Sequence, residues 1–172
     1  MLKGIIGLAA AAALAGCATV AADGGGTPSE MLSVEMNSWG KPVAHWQVGA
    51  DGAGRYTVSR ETAAKSFHEY DLVTTSFRAA PADFARLEAL LRPARPYAGR
   101  EIPCELTITD AVYGRILWQR QGAPGEVRFN MGCTSRTADP IHANVAAALD
   151  LVETLAASGT VVEVKEVRGT GR

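Results

Sequence analysis

The sequence lacks the short motifs by which many hydrolases and nucleotide-binding enzymes are identified. It contains no Gly-x-Ser-x-Gly nucleophile elbow and no phosphate-binding loop of the Gly-x-x-x-x-Gly-Lys-Ser/Thr type. Both motifs hold a reactive group or a phosphate at a strand–helix junction. The glycine run at residues 24–26 has neither the Lys-Ser/Thr ending nor a predicted strand before it. These absences favour a non-catalytic domain.

Metal-binding patterns are also missing. The chain has 3 histidines and 3 cysteines, but no Cys-x-x-Cys pair and no two histidines spaced for one face of a helix. A zinc site would therefore have to assemble from distant parts of the fold. We predict neither a metal site nor a cofactor.

The chain has no excess of charge of either sign. It carries 17 lysines and arginines against 18 aspartates and glutamates, and its formal net charge is −1 at pH 7. A nucleic-acid-binding protein needs a clustered basic surface to neutralise phosphates. We therefore expect no nucleic-acid partner and no polybasic membrane patch.

No apolar stretch is long enough to span a membrane, which takes about 20 residues. The N-terminal stretch, residues 4–15, follows the basic Lys3 and ends in Leu14-Ala15-Gly16-Cys17. A basic start, an apolar stretch of about 7–15 residues and a small-residue cleavage site form an export signal. This segment resembles the signal peptide and lipobox of bacterial lipoproteins.

The resemblance implies cleavage between Gly16 and Cys17, which removes residues 1–16, and acylation of the Cys17 sulfur. Two or three acyl chains on one residue anchor a protein stably, whereas a single chain binds only marginally. Enterobacterial lipoproteins kept in the inner membrane carry an aspartate at the next position, but here it is Ala18. The resemblance therefore implies an outer-membrane anchor with the folded domain in the periplasm.

The rest of the chain divides into a linker, a domain and a tail. Residues 17–30 are small, polar and rich in glycine, which predicts a flexible linker with a root-mean-square span of about 20 Å. Residues 31–168 fit one globular domain. Residues 169–172 form a short tail.

Alternation of apolar and polar residues predicts most of the strands. It is regular over residues 31–39, which indicates a half-buried strand. Residues 44–48 and 55–59 flank Asp51-Gly52, an arrangement typical of a hairpin. Four more strands are predicted at 67–77, 114–120, 126–131 and 161–167.

Two helices interrupt these strands. Pro81 opens the first, whose apolar stripe runs from Phe84 to Leu91, and Asp139-Pro140 opens the second. Runs of strands separated by single helices predict an α+β fold, with a mostly antiparallel sheet of about six strands and both helices on one face. The other face is either solvated or a binding surface. The three tryptophans are predicted to lie in the core: Trp39, Trp46 and Trp118.

Acylation of Cys17 leaves Cys104 and Cys133, which we expect to pair in an oxidising compartment. Two separate buried thiols are the alternative. In a plain meander of strands 104–109, 114–120 and 125–131 the two cysteines would lie about 20 Å apart by strand rise, but a disulfide needs Cα atoms within about 7 Å. We therefore expect residues 104–113 to fold back as a loop beside the second hairpin.

Two functional hypotheses remain open. The first is a non-catalytic envelope module that is held at the membrane and binds an envelope protein or the cell wall. The second is a small periplasmic hydrolase or inhibitor with a polar site built from His68, Asp110 or Arg115.

The lipobox interpretation makes a direct prediction. Cys17→Ser removes the sulfur that would be acylated, so we expect an unprocessed or soluble product in place of a membrane-bound one. Membrane fractionation and N-terminal sequencing measure this outcome. Normal membrane association together with a mature N-terminus at another position would refute the interpretation.

Overall fold

The computed structural model describes residues 30–61, 68–119 and 125–168. The predicted signal peptide, the lipobox with Cys17, most of the linker and the tail lie outside these ranges. Within the described ranges no helix is long and apolar enough to cross a membrane.

The fold is α+β and consists mainly of antiparallel sheet, as predicted. The main sheet has seven strands, rather than about six, in the order β7-β6-β1-β2-β3-β4-β9, and a separate two-stranded ladder joins β5 to β8. In chain order the elements are β1 (Met31–Ser38), β2 (Lys41–Gly49), β3 (Ala53–Glu61), β4 (Tyr70–Arg78), α1 (Pro81–Leu91), a 3₁₀ helix (Arg92–Tyr97), β5 (Leu106–Thr107), β6 (Tyr113–Gln119), β7 (Gly125–Asn130), β8 (Cys133–Thr134), α2 (Ala138–Ala157) and β9 (Thr160–Val167).

Strand β1 lies in the interior of the sheet, with two strands on one side and four on the other, because the chain extends the sheet from both of its sides. Strands β2, β3 and β4 follow as a meander on one side. The chain then passes through α1 to β6 and β7 on the other side of β1. Helix α2 finally returns the chain to the first side, where β9 pairs with β4.

The predicted alternation divides the sheet into a buried and an uncovered face. Val34 lies between Trp46 and Ile116 in the cross-strand register, and all three side chains are buried. The hairpin of β2 and β3 pairs Trp46 with Tyr56, and both side chains are buried. Tyr56 Oη also donates a hydrogen bond to Glu153 Oε1 (2.9 Å), which ties β3 to α2.

Both helices pack on the buried face, and their boundaries follow local chemistry. Pro81 occupies the first turn of α1, where a backbone N–H would have no acceptor within the helix, so proline costs no hydrogen bond there. The Asp83 carboxylate accepts a hydrogen bond from Ala80 N (3.0 Å). The apolar spacing of the α2 segment predicts five inward residues. Helix α2 buries three of them, Ile141, Val145 and Val152, and packs the other two, Leu149 and Leu155, partly buried against the core.

The prediction that Trp39 lies in the core is wrong. Trp46 and Trp118 are buried, but Trp39 is 68% exposed. The alternation of β1 ends at Ser38, and Trp39 belongs to the turn that follows. A residue in such a turn is not bound by the inside–outside alternation of the strand.

Cys104 and Cys133 form the predicted disulfide, with Cα atoms 5.5 Å apart. The segment before β6 does not join the main sheet as a meander strand. It folds back, and β5 pairs with β8 through Leu106 opposite Thr134 and Thr107 opposite Cys133. The disulfide therefore holds a loop against the end of β7.

Removing this disulfide is expected to lower the free energy of unfolding. The bond closes a loop between residues 29 apart in sequence, so the chain-entropy argument gives about 3–4 kcal/mol. Urea titration of the Cys104→Ala/Cys133→Ala variant measures the loss. The native chain in reductant is the control and should lose a similar amount, whereas reductant should not affect the variant. Equal stability of the native chain and the variant would contradict the prediction.

Candidate functional site

The turn between β1 and β2 carries the most unusual residue of the structure. Trp39 and Gly40 form this two-residue turn with φ values of 52° and 78°. Positive φ at both central positions defines the type I′ hairpin turn, in which Asn-Gly and Asp-Gly are preferred. A bulky residue in the left-handed region costs roughly 1–2 kcal/mol. Trp39 therefore occupies a position that disfavours it.

The fold gains no packing from Trp39 that would offset this cost, because the side chain is 68% exposed. Strained backbone positions and violations of local sequence rules concentrate at functional sites. Tryptophan is also the residue type most enriched among binding hot spots. Trp39 is therefore the leading candidate for a contact with a partner.

Tyr113 fastens this turn to β6. Its hydroxyl oxygen accepts a hydrogen bond from Gly40 N (3.1 Å), and its side chain is 43% exposed. Tyr113 lies directly opposite Asn37 on β1 and Asn130 on β7. The turn and Tyr113 together place two exposed aromatic side chains at one end of the sheet. We call this end the aromatic end.

Polar side chains cover the sheet face that the helices leave open. One cross-strand row contains a residue from every strand of the main sheet, and we call it the polar row. In spatial order its members are Arg128, Arg115, Glu35, His45, Thr57, Thr74 and Glu163.

Arg115 and Glu35 form the best-defined ion pair of the polar row. Arg115 Nε donates to Glu35 Oε2 (2.8 Å) and Nη2 donates to Oε1 (2.9 Å). This bidentate hydrogen bonding raises the pKa of Arg115 above its ordinary value. Arg128 donates to Glu126 beside it (2.9 Å). These charges thus compensate one another within the row.

His45 lies opposite Glu35, but its hydrogen bond goes to another residue. Its Nε2 donates to Asn37 Oδ1 at 3.1 Å. A bulge in the β1–β2 ladder, where Asn37 pairs with Pro42 instead of Val43, shifts the register next to this contact. Burial lowers the pKa of His45 below its usual value, although the Glu35 carboxylate acts in the opposite direction. Burial therefore favours the neutral form of the His45 imidazole.

A shallow depression of about 230 Å³ lies around the middle of the polar row. It offers hydrogen-bond donors and acceptors from three strands to a polar ligand. Thr57 Oγ1 is bonded to Thr74 Oγ1 (2.9 Å), and in the described part of the chain no hydroxyl is bonded to His45. The arrangement suits recognition better than nucleophilic catalysis. Its lining comprises Ser33, Glu35, His45, Trp46, Gln47, Arg55 and Thr57.

The structure does not bring together His68, Asp110 and Arg115. His68 is exposed just before β4, and Asp110 is exposed in the turn that precedes β6. Arg115 belongs to the polar row on β6. Strands β4 and β6 are four strand spacings apart, or about 19 Å. Cross-strand pairing, which the sequence does not reveal, instead places Arg115 beside Glu35 and His45.

A serine–lysine pair also appears in the sequence, at Ser38-Trp39-Gly40-Lys41. The Ser-x-x-Lys spacing belongs to a catalytic motif of acyl-transfer enzymes. Here the four residues span a hairpin turn, and Lys41 Nζ donates to Glu61 Oε1 (2.6 Å). Lys41 also lies 4.9 Å from the ring centre of Tyr70. The lysine is therefore held as a structural ion pair at the edge of the aromatic end.

A second depression, of about 310 Å³, borders the disulfide. His142, on the first turns of α2, is part of its wall and is only 8% exposed. Its Nε2 atom has no hydrogen-bond partner among the described residues. Burial lowers the pKa of His142, and the Asp139 carboxylate partly opposes this effect. Sequence patterns missed this residue because its burial depends on Phe129 of β7 packing beside it.

The chain matches no known protein family and no curated protein. Within the described residues there is also no group of three His, Cys, Asp or Glu side chains that could hold a metal ion.

The half-buried His45 and the buried His142 predict a pH dependence of stability. The folded state lowers the pKa of both His45 and His142 from 6.5, so below about pH 6.5 the unfolded chain binds more protons. The free energy of unfolding should therefore fall as the pH is lowered from 6.5 towards the pKa values of the two histidines in the folded state. Above pH 7 the two histidines should not change it. Urea titrations at several pH values measure the slope.

The His45→Gln/His142→Gln variant is the control for this prediction. Glutamine does not titrate, so the slope between pH 7 and pH 5 should be shallower in the variant. A slope equal to that of the native chain would show that other groups cause the dependence.

Proposed function

We propose that this chain is a lipid-anchored protein of the bacterial envelope whose domain binds a protein partner in the periplasm through the aromatic end. The lipobox sequence and the linker support the anchored location, and Ala18 supports the outer membrane. The observation that carries the binding function is Trp39, an exposed tryptophan in a turn that disfavours it.

The position of Trp39 favours a partner in the periplasm over the lipid surface itself. The linker joins the domain at the start of β1, and Trp39 follows the end of the same strand. Eight residues at about 3.3 Å each put the two points about 26 Å apart. The aromatic end is therefore directed away from the point where the tether attaches.

The polar row favours a protein partner of mixed charge. It presents arginine and glutamate side chains side by side rather than a surface of one sign. Arginine and glutamate side chains in alternation select a partner whose charges are complementary, and they fix the orientation in which that partner binds. This arrangement resembles a protein-binding hot spot. The aromatic end supplies the aromatic anchors, and the uncovered face supplies the surrounding hydrogen-bonding groups.

Trp39→Asn separates binding from folding. Asparagine tolerates positive φ, so the variant should be more stable than the native chain by about 1 kcal/mol. Its capture of partners should nevertheless fall strongly. Thermal unfolding measures the first effect, and crosslinking followed by pull-down from the protein's own envelope measures the second. A variant that is more stable and captures the same partners equally well would refute the role of Trp39.

Arg86→Glu is a matched control for this experiment. Arg86 is exposed on α1, on the helical side of the molecule, so its charge reversal should leave capture unchanged. Sedimentation with isolated cell wall and with lipid vesicles distinguishes the other candidate partners. If the protein sediments with cell wall alone or with vesicles alone, and Trp39→Asn abolishes this binding, the partner is that surface and not a protein.

One observation favours the second candidate, a periplasmic hydrolase or inhibitor. Burial favours the neutral form of His45, which lies in a polar depression opposite a carboxylate, and the neutral form is the state required of a general base. A hydrolytic activity that His45→Gln abolishes, in a chain that captures no specific partner, would establish this alternative.

A further inference from the structure

Strand β9 is an open edge of the main sheet. It pairs with β4 on one side, and among residues 30–61, 68–119 and 125–168 no strand lies on its other side. Three of its side chains are large, apolar and more than half exposed: Val161 (53%), Val162 (51%) and Val164 (61%). An edge strand with exposed apolar residues is a template for pairing with another strand.

The valines are exposed because the helices stop short of this edge. Val164 pairs with Val73, whose side chain belongs to the buried face of the sheet. Helix α2 packs over β3, β4 and β8, and in the described ranges nothing covers Val164 to the same extent. The buried face therefore continues beyond the helices as an uncovered apolar strip.

The opposite edge of the sheet, strand β7, is covered. The 3₁₀ helix and the loop after it run along β7, and Gly99 N donates to Glu126 O of that strand (3.0 Å). The disulfide then holds the following loop beside the end of β7. The open edge at β9 is thus a specific feature of one side.

We propose that two copies of this chain associate by antiparallel pairing of their β9 strands, with Val164 opposite Val164 at the two-fold axis. The pairing joins two seven-stranded sheets into one continuous sheet with all helices on the same face. Main-chain hydrogen bonds supply the attraction, as in other cases of strand addition. A second copy is the occupant that the sequence of β9 itself selects.

Charge complementarity selects this register. Centring the pair on Val164 puts Glu163 of each copy opposite Lys165 of the other, and opposite charges that face each other across strands attract. Centring it on Glu163, Lys165 or Glu166 would oppose like charges. Centring it on Val162 would leave Glu163 facing Val161.

The charged groups on the uncovered face of β9 are available for this pairing. Glu163 makes one long contact, 3.6 Å from its Oε2 to Arg55 Nη2, in which both side chains are more than half exposed. Lys165 makes no ion pair in the part of the chain that the structure describes. Association would supply its acidic partner.

Site-specific crosslinking of the full chain tests the register. Directly opposite residues in antiparallel strands have Cα atoms about 4.5–5.5 Å apart, which a disulfide can span. Val164→Cys should therefore give a covalent dimer on a non-reducing gel, and reductant should remove it. The chain without an added cysteine should give none.

Val162→Cys is the control on the same strand with similar exposure, and Val162 is the extra residue of a bulge in the β4–β9 ladder. It lies two residues from the proposed two-fold axis, so the two copies of residue 162 are about 13 Å apart. It should crosslink several-fold less than Val164→Cys. Equal crosslinking at both positions, or none at residue 164, would overturn the proposal.

A charge exchange gives an independent readout through the dissociation constant. Glu163→Lys would oppose two lysines at each of two symmetric places and should weaken dimerisation by about tenfold. Adding Lys165→Glu to the same chain exchanges the charges and should restore it. Analytical ultracentrifugation measures both variants. Failure of the double variant to recover dimerisation, or a native chain that is monomeric throughout, would also overturn the proposal.

Discussion

The crossing of α2 over the sheet is the constraint on which the rest of the architecture depends. The helix has 20 residues, or about 30 Å at 1.5 Å per residue. The distance from β7 to β9 is six strand spacings, about 29 Å. A helix of this length can carry the chain from one edge of the sheet to the other. It also shields the buried face on the way, through residues such as Val145 and Val152.

This crossing also explains why the two faces of the sheet differ. Since α1 and α2 pack against each other on one side, the opposite face remains open to solvent and carries the polar row. The pairing of Glu35 with Arg115 links strands that are 80 residues apart in sequence. The polar side chains of the uncovered face therefore come from strands that are distant in sequence, whereas the turn at Trp39 is a local segment.

Local patterns predicted the parts of the fold that depend on neighbouring residues. The alternation in β1, the hairpin of β2 and β3, and the two helix starts were all read from short segments, and the structure confirms them. The disulfide was predicted from the two cysteines that remain in an oxidising compartment, and a distance argument then predicted that residues 104–113 fold back, because a plain meander keeps Cys104 away from Cys133. Each of these features is governed by near neighbours or by a single geometric limit.

The candidate site was harder to predict because it depends on strand register. Nothing local to Arg115 indicates that Glu35 and His45 lie beside it, since that follows from β6 pairing with β1 across the centre of the sheet. The sequence suggested a polar site built from His68, Asp110 or Arg115, but the sheet order separates β4, which follows His68, from β6, which carries Arg115. The exposure of Trp39 was missed because alternation was extended one residue beyond the end of β1.

The disulfide-held loop has a consequence for how far the sheet can grow. A sheet with two open edges can add strands at both ends and polymerise without limit, whereas closed two-fold association uses each surface once. Here the 3₁₀ helix and the loop after it run along β7, where Gly99 N donates to Glu126 O, and the disulfide holds the next segment beside the end of that strand. Two-fold pairing through β9 alone would therefore stop at two copies.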